Sequence, residues 1–472
     1  MFVGRKDILA DLETLWRKRT SSIVACRGRR RIGKSTLFRE FSRLTADCYI
    51  EIEGLPPSKE MTNQKELDHF AAMLSDQTGE AYRSPARWYE AFSMLERAID
   101  DTKRTVVMLD EISWMGKYDD TFPGVLRSAW ESLFHRHDRL ILVVCGSVSS
   151  WIQKNILNNT GFTGRFSRDY VLPELSLSEC AEFWDRKRAR IDDREIFDVL
   201  SVTGGVPRYL EEIDPGLSAD ENIRRLCFLA SGELYKDFDA IFDPELDASV
   251  PLKRQILELL SNGPKSGAEL SVLAGEGRNG RFSDILKELA LGGFITDDMG
   301  MNPATGKDIR IGTYRLKDNY TRFYLKYIQP HKREIALGTY KYVALEHLPN
   351  WYAIMGLQFE NLIVNNAMDI IPCLGLGTAI IESAAPFRNK HCQIDLLVQT
   401  ARSASVVEVK RKREIDSSVE AEVERKVRAL KTRRGVSIRT VLVYDGHLEP
   451  SVAGDGYFDA IVRAGQLLDG RA

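Results

Sequence analysis

No apolar run in this 472-residue chain approaches the roughly 20 residues of a membrane-spanning helix, so a membrane partner is not expected. The opening Met-Phe-Val-Gly-Arg-Lys-Asp carries charge where a signal peptide would need its apolar core, and the expected location is the cytoplasm. Cysteine is sparse. Seven residues without any Cys-x-x-Cys pair suggest neither a zinc site nor a disulfide framework. His135, His137 and His391 lack metal-ligand spacing and read as structural or surface residues. Internal repeats and low-complexity tracts are missing as well. An excess of one charge is also lacking: the formal net charge is −2, which by itself says nothing about partners. A hydrophobic content of 43% with 28% charged residues is ordinary for a globular protein, and the length suits about two to four domains.

What is present is a complete phosphate-binding loop. Gly28-Arg29-Arg30-Arg31-Ile32-Gly33-Lys34-Ser35-Thr36 fits G-x-x-x-x-G-K-[ST]. The apolar run Ser22–Cys26 leads in as a buried strand, and Ser35–Phe41 leads out as a helix. Gly28 and Gly33 let backbone N–H groups curl around the phosphates without a Cβ in the way. Lys34 places a cation on those phosphates, the Ser35 hydroxyl suits Mg²⁺, and the helix offers its unpaired N–H groups to the anion. The chain is expected to bind ATP with Mg²⁺.

Strand-like runs alternate with helical patterns through about residue 170, which predicts an α/β fold with a parallel sheet and covering helices. The strands are placed at Ser22–Cys26, Cys48–Glu53, Thr105–Leu109, Leu140–Cys145 and Asp169–Leu172. Residues 178–242 read as helical, broken at Thr203-Gly204-Gly205-Val206-Pro207. From Pro251 to Leu316 three helices and a two-stranded hairpin describe a winged helix-turn-helix. A third unit with helix, strand, strand and helix begins near Tyr340. The predicted division is an ATPase core over 1–175, a helical lid over 176–245, the winged helix over 246–330 and a small α/β domain over 340–472.

The run Thr105–Leu109 ends in Asp110-Glu111, a strand terminating in two carboxylates. Asp110 suits the Mg²⁺ shell, and Glu111 suits orienting or deprotonating the attacking water. Ser147, at the tip of the run Leu140–Cys145, is expected to sense the γ-phosphate. Arg165 is a candidate arginine finger, with an exposed loop arginine as the alternative. Phe2-Val3-Gly4-Arg5, the phosphate loop, Leu109-Asp110-Glu111, Cys145-Gly146-Ser147 and Gly204-Gly205-Val206-Pro207-Arg208-Tyr209 occur in that order. This set resembles the archaeal-type ATPase family, an MNS-like clade of the AAA+/STAND group, over roughly the first 240 residues and on through the winged helix. The resemblance implies that Gly4 and Arg5 lie by the adenine and that Pro207 of the lid closes over the nucleotide. The segment around Arg165 matches the family only loosely.

The last 130 or so residues hold a second constellation. Glu360 lies in an apolar helix, Asp395 in the strand-like Gln393–Val398, and Glu408 and Lys410 in Ser405–Lys410. Glu408 and Lys410 are two apart and so share one face of their strand. Three carboxylates suit Mg²⁺, and a lysine beside them neutralises charge or aligns a nucleophile. The segment resembles the PD-(D/E)xK nucleases and the nuclease-like domain often fused to archaeal-type ATPases. A salt-bridged pair on a sheet face is the alternative for Glu408 and Lys410.

Basic residues cluster at Lys410-Arg411-Lys412-Arg413 and again at Arg425, Lys426, Arg428, Lys431, Arg433 and Arg434. They suit nucleic-acid phosphates, or a solvated helix face, since Glu420, Glu422 and Glu424 interleave with them. In the winged helix Arg278, Arg281, Lys287 and Lys307 are candidate phosphate contacts, and an interdomain role is the alternative. The whole describes an ATP-controlled, Mg²⁺-dependent nuclease acting on DNA, with a homo-oligomer or a partner protein open. The alternatives are a regulatory ATPase switch whose C-terminal domain binds without cutting, and a remodelling ATPase acting on protein partners.

Overall fold

The computed structural model describes residues 2–147, 150–158, 162, 164–184, 191–243, 247–277, 279–309 and 313–470. The chain divides into two compact units: Met1–Pro173 with Phe242–Pro251 and Ser283–Gly293, and Glu174–Ile241 with Leu252–Phe282 and Phe294–Ala472.

The first unit is built on β1 (Ser22–Gly28), β2 (Cys48–Glu53), β3 (Thr105–Asp110), β4 (Leu140–Ser147) and β5 (Phe166–Val171), in the all-parallel order β2-β3-β4-β1-β5. Strands β1 and β3 are buried along their whole length because helices cover both faces. Side chains alternate between the two faces with period two. Ile23, Ala25, Val107, Leu109, Leu142 and Val144 pack on one side with α3 (Asn63–Thr78), α4 (Trp88–Arg97) and α5 (Phe122–Ser132). Val24, Cys26, Val106, Met108, Ile141 and Val143 pack on the other with α1 (Lys6–Thr14) and α2 (Lys34–Thr45). An aromatic group locks the first side: the Trp88 and Phe122 rings meet edge to face with centroids 4.8 Å apart. The fifth strand starts three residues earlier than expected. It is an edge strand in which Phe166 is followed by the polar Ser167, Arg168 and Asp169, so its opening half shows no apolar run.

In the second unit, α6 (Asp193–Thr203) is capped by the Asp192 side chain and ends at Gly204. Downstream come α7 (Val250–Ser261), β6 (Lys265–Ser266), α8 (Gly267–Leu273), α9 (Gly280–Leu291), β7 (Ile295–Asp297) and β8 (Thr313–Leu316), of which α9 from Ser283 onward belongs to the first unit. The three short strands pair in the order β6-β8-β7. Ser266 caps α8 through a reciprocal capping box with Glu269. Residues 311 and 312, expected to open the last of these strands, lie outside the described residues, as does Arg278.

The C-terminal part runs α10 (Trp351–Asn365), β9 (Ile381–Arg388), β10 (Gln393–Thr400), β11 (Ser403–Ile415), α11 (Ser418–Ala429), β12 (Ser437–Leu448) and β13 (Ala460–Arg463). These strands form a mixed sheet, β13-β12-β11-β10-β9, antiparallel from β9 to β11 and parallel from β11 to β13. Val419, Val423 and Leu430 of α11 and the segment after it pack on Ile394, Val406 and Leu442 of the sheet. The edge strands β9 and β13 were not expected from sequence. The first carries Pro386, which weakens a strand pattern and is tolerated at an edge.

Glu66, 1% exposed on α3, accepts the Leu55 N–H at 3.0 Å and so anchors the loop that follows β2. Burial pushes its carboxyl up to about 7, with the Leu55 amide pulling back. A folded-state value above the unfolded 4.5 means stability is highest below that value and is lost as the pH rises through about 7. Glu66→Gln keeps the acceptor and removes the titration. Urea midpoints of the variant and wild type should diverge from pH 5 to 8, with the variant more stable by on the order of 2 kcal/mol at pH 8. A constant offset across that range would contradict the assignment.

Candidate functional site

The phosphate loop leaves β1 at Gly28 and enters α2 at Lys34. Gly33 caps the helix with φ of 85°, and Arg31 also adopts positive φ, 69°. A Cβ on Gly28 would lie 2.9 Å from Ile32 Cγ2 and 3.2 Å from the Leu172 carbonyl oxygen, so a side chain does not fit. Lys34 Nζ donates to the carbonyl oxygens of Arg29 and Gly28 at 3.2 and 3.4 Å, over the mouth of the loop. Ile32 is buried, Thr36 is exposed, Arg29 is buried, and the Arg30 guanidinium lies 5.2 Å over the Trp114 ring.

The sheet register brings the remaining groups to this end. Gly28 pairs with Ser147 across β1 and β4, and Glu53 with Asp110 across β2 and β3. Ser35 Oγ donates to Asp110 Oδ2 at 2.5 Å, and Asp110 Oδ1 accepts the Glu111 N–H at 2.9 Å. These two hard oxygens stand together as an Mg²⁺ shell requires. Glu111 has left-handed backbone angles, φ 48° and ψ 47°, an uncommon state for a non-glycine residue and one that clusters at functional sites. Its carboxylate accepts from Ser147 Oγ at 2.9 Å and from the Ser147 N–H at 3.3 Å. Ser147 therefore holds Glu111 directly, a link that sequence spacing does not reveal. Burial, and then the charges of Asp110 and Glu111, raise Glu53 above the usual carboxylate range.

Gly4 and Arg5 both have positive φ, and Arg5 Nη2 donates to the Pro173 carbonyl oxygen at 2.5 Å, just past the end of β5. Pro207 opens a short helix, Pro207–Leu210, in the second unit. Arg165 is not brought to the phosphate loop. It precedes β5, whose Phe166 pairs with Ile23 at the start of β1, and it forms an ion pair with Glu131 at the end of α5. Five residues of parallel strand, roughly 17 Å, separate that end from Gly28. The same chain's nucleotide is out of its reach.

In the C-terminal sheet, Leu396 pairs with Val407, which sets Asp395 beside Glu408 across β10 and β11. Asp395 Oδ2 accepts the Val409 N–H at 2.9 Å, and Glu408 is 1% exposed. Lys410 Nζ lies 2.6 Å from Glu408 Oε1 and 2.9 Å from Glu422 Oε2 of α11. Lys426 of α11 enters as well, 2.5 Å from Glu408 Oε2 and 3.8 Å from Asp395 Oδ1. Glu360 completes the group through charge. Its carboxyl is raised by burial and then by Glu408, while Asp395 is raised by burial and then by Glu360. Burial followed by Asp395 raises Glu408. Burial opposes the charges of Lys410 and Lys426, but the carboxylates around them outweigh it and raise both.

Glu360, Asp395, Glu408 and Lys410 thus share one cluster. Among the described residues no three acidic, histidine or cysteine side chains converge as a ready metal site, and two ammonium groups stand against Glu408. The donor chemistry still suits a hard divalent cation, with Lys426 as its internal competitor. Sequence reading left Lys426 in a basic cluster open to either nucleic-acid contacts or a solvated helix face. The apparent anomaly, a lysine three residues after Val423 on the apolar face of α11, was the available signal.

Other basic residues are also engaged. Arg411, with its side chain 6% exposed, pairs with Asp198 at 2.8 Å and Asp445 at 3.0 Å and stacks over Phe359. Arg433 pairs with Glu382, and Arg428 with Glu424. Neither Arg411 nor Arg433 stands as an open phosphate contact. Lys412, Arg413, Lys431 and Arg434 are exposed, as are Arg281, Lys287 and Lys307. The turn that carries Lys307 is tied to the C-terminal sheet: Gln399 Nε2 donates to the Met301 carbonyl at 2.7 Å and Arg433 N–H to that of Pro303 at 2.8 Å.

Among the described residues no helix is long and apolar enough to cross a membrane. The chain is similar over 388 residues to the uncharacterized protein MJECL04 of Methanocaldococcus jannaschii, with 24% identity, covering 79% of this chain and 80% of that one. Among solved structures it is similar to the Walker-type ATPase paby2304 of Pyrococcus abyssi, with 15% identity and a TM-score of 0.48, covering 69% of this chain and 96% of that one. It is also similar to the ORC2 protein of Aeropyrum pernix, with 14% identity and a TM-score of 0.40, covering 70% and 94%. Residues 2–213 match the family described as an ATPase domain predominantly from Archaea. The phosphate loop, the paired acids and the parallel sheet all lie within the residues that match this ATPase domain family.

Proposed function

We propose that the chain is an ATP-hydrolysing, Mg²⁺-dependent switch that controls a PD-(D/E)xK nuclease acting on DNA. The observation that carries the second half is that Asp395 and Glu408 stand side by side and buried on β10 and β11, with Lys410 on Glu408, and with Glu360 near enough for its charge to raise Asp395. At the ATPase centre Lys34 binds the phosphates, Ser35 and Asp110 hold Mg²⁺, and Glu111 orients the attacking water once Ser147 releases it to the γ-phosphate. At the C-terminal centre Glu360, Asp395 and Glu408 would hold a divalent cation, which would supply water activation and charge neutralisation at a phosphate. Lys410 adds positive charge beside the scissile phosphate. The order of helices and short strands over residues 250–316 supports a winged helix-turn-helix, and the exposed Arg281 and Lys287 of α9 suit phosphate contacts. The tied turn at Lys307 supports an interdomain role for the wing itself.

A second reading, a regulatory ATPase whose C-terminal domain binds without cutting, is favoured by one observation. Lys426 stands where the cation would bind.

Lys34→Ala should abolish ATP binding, whereas Glu111→Gln should bind normally and lose about 100-fold or more in turnover. Calorimetry with a non-hydrolysable analogue and a phosphate-release assay check the pair, and wild-type turnover in Glu111→Gln would remove that acid from its role. With Mg²⁺, ATP and linear or circular DNA, wild type should cut and Lys410→Ala should not. Absence of cutting by both would favour the second reading. Lys426→Met should bind Mn²⁺ about tenfold more tightly in nucleotide-free protein, since an ammonium beside two ligands is gone. Titration calorimetry reads this directly, with Glu408→Gln as the control that weakens binding. Equal affinity in wild type and Lys426→Met would mean that the lysine does not compete.

A further inference from the structure

We propose that α6, the helix that runs into Gly204–Pro207, positions the two halves of the C-terminal acid site through Asp198 and Arg411, so that nucleotide binding alters how Glu360 stands against Lys410. The inference rests on reading that acid cluster as the functional centre.

Three contacts within little more than one turn of α6 carry it. Asp198 Oδ1 accepts from Arg411 Nη2 at 2.8 Å, and Arg411 is the residue next to Lys410 on β11. The Phe197 ring meets the Phe359 ring edge to face at 5.3 Å, and Phe359 is the residue next to Glu360 on α10. The Ser201 carbonyl accepts from Gln358 Nε2 at 2.9 Å, one residue further back on α10. One rigid helix thus grips both the strand bearing Glu408 and Lys410 and the helix bearing Glu360. Arg411 closes the triangle: its guanidinium lies 5.4 Å over the Phe359 ring and donates to Asp445 of β12 at 3.0 Å. Asp198 and Arg411 touch neither the acid cluster nor the phosphate loop, so both are positioning residues.

The other end of α6 is fixed with equal care. It stops at Gly204, φ 60° and ψ −163°, and Gly205 is clamped between Glu174 and Leu175. The Gly205 N–H donates to Glu174 Oε2 at 2.9 Å, and the Gly205 carbonyl accepts the Leu175 N–H at 2.8 Å. A Cβ on Gly205 would lie 2.4 Å from the Leu175 carbonyl oxygen, so the clamp requires glycine. Glu174 follows Pro173 directly in the chain, and Pro173 is the residue whose carbonyl Arg5 holds in the ATPase unit. A displacement there enters α6 through the covalent chain. A packed helix with an ion pair at its centre passes such a displacement on as a rigid-body shift.

The test is hydrogen exchange on the full-length chain with Mg²⁺, with and without a non-hydrolysable ATP analogue. In wild type, exchange should change by about fivefold across Trp351–Asn365 and Ser403–Ile415 when the analogue binds. Asp198→Asn should bind the analogue as tightly as wild type, keep the changes across Ser22–Thr45, and lose those in the two C-terminal segments. Phe197→Leu should do the same and stands in if Asp198→Asn fails to fold. A merely structural role for Asp198 would shift exchange equally with and without nucleotide. The proposal is overturned if wild type shows no nucleotide-dependent change in those segments, or if both variants keep it. Cleavage is not part of the readout. An inactive protein with the response intact would overturn only the nuclease reading, and cleavage without the response only this one.

Discussion

A carboxylate taken out of water must find a cation or a set of donors, and the two centres of this chain are arranged around the ways that demand is met. In the ATPase unit the donors are neutral and lie close at hand. Ser35 serves Asp110, the Asp110 carboxylate takes the next amide, and Ser147 serves Glu111 from two atoms. In the C-terminal unit the partners are full charges, Lys410 and Lys426 against Asp395, Glu408 and Glu422. Hydroxyl donors yield readily to a nucleotide and its metal. Buried ammonium groups do so at greater cost, so the two centres differ in how easily a cation enters.

How much of this was legible in the sequence follows from how local each feature is. The phosphate loop is set by local backbone angles at Arg31 and Gly33, so its residues announce it. The buried strands β1, β3 and β4 are continuous apolar runs and were placed with little error. The position of Arg165 was not legible, because it depends on which strands are neighbours and in what register. The fate of Arg411 was partly legible. Strand alternation already turns it away from the face shared by Glu408 and Lys410, but its partner Asp198 lies more than 200 residues earlier in the chain. Glu66 and Lys426 left fainter traces, each a charge at a helical position otherwise filled by apolar neighbours.

The expected four-part division looks different from the standpoint of packing. The segment Glu174–Ile241 clusters with Phe294–Ala472 in one compact unit. Asp198, Phe197 and Ser201 supply the contacts on one side, and the Met301–Pro303 turn against Gln399 and Arg433 supplies them on another. The segment read from sequence as a lid therefore packs against the helix and strand that carry Glu360, Glu408 and Lys410. Sequence alone assigns such a segment to its chain neighbour, because proximity in the chain is all that it displays.

The placement of Arg165 has a consequence for enzymology. It opens the edge strand at the margin opposite the phosphate loop, about five strand residues from it, and turns outward toward Glu131. Any contribution from this guanidinium to hydrolysis needs a second copy of the chain docked along that margin. Specific activity would then climb with protein concentration instead of staying flat, and a dilute preparation would look inert although every chain in it was sound.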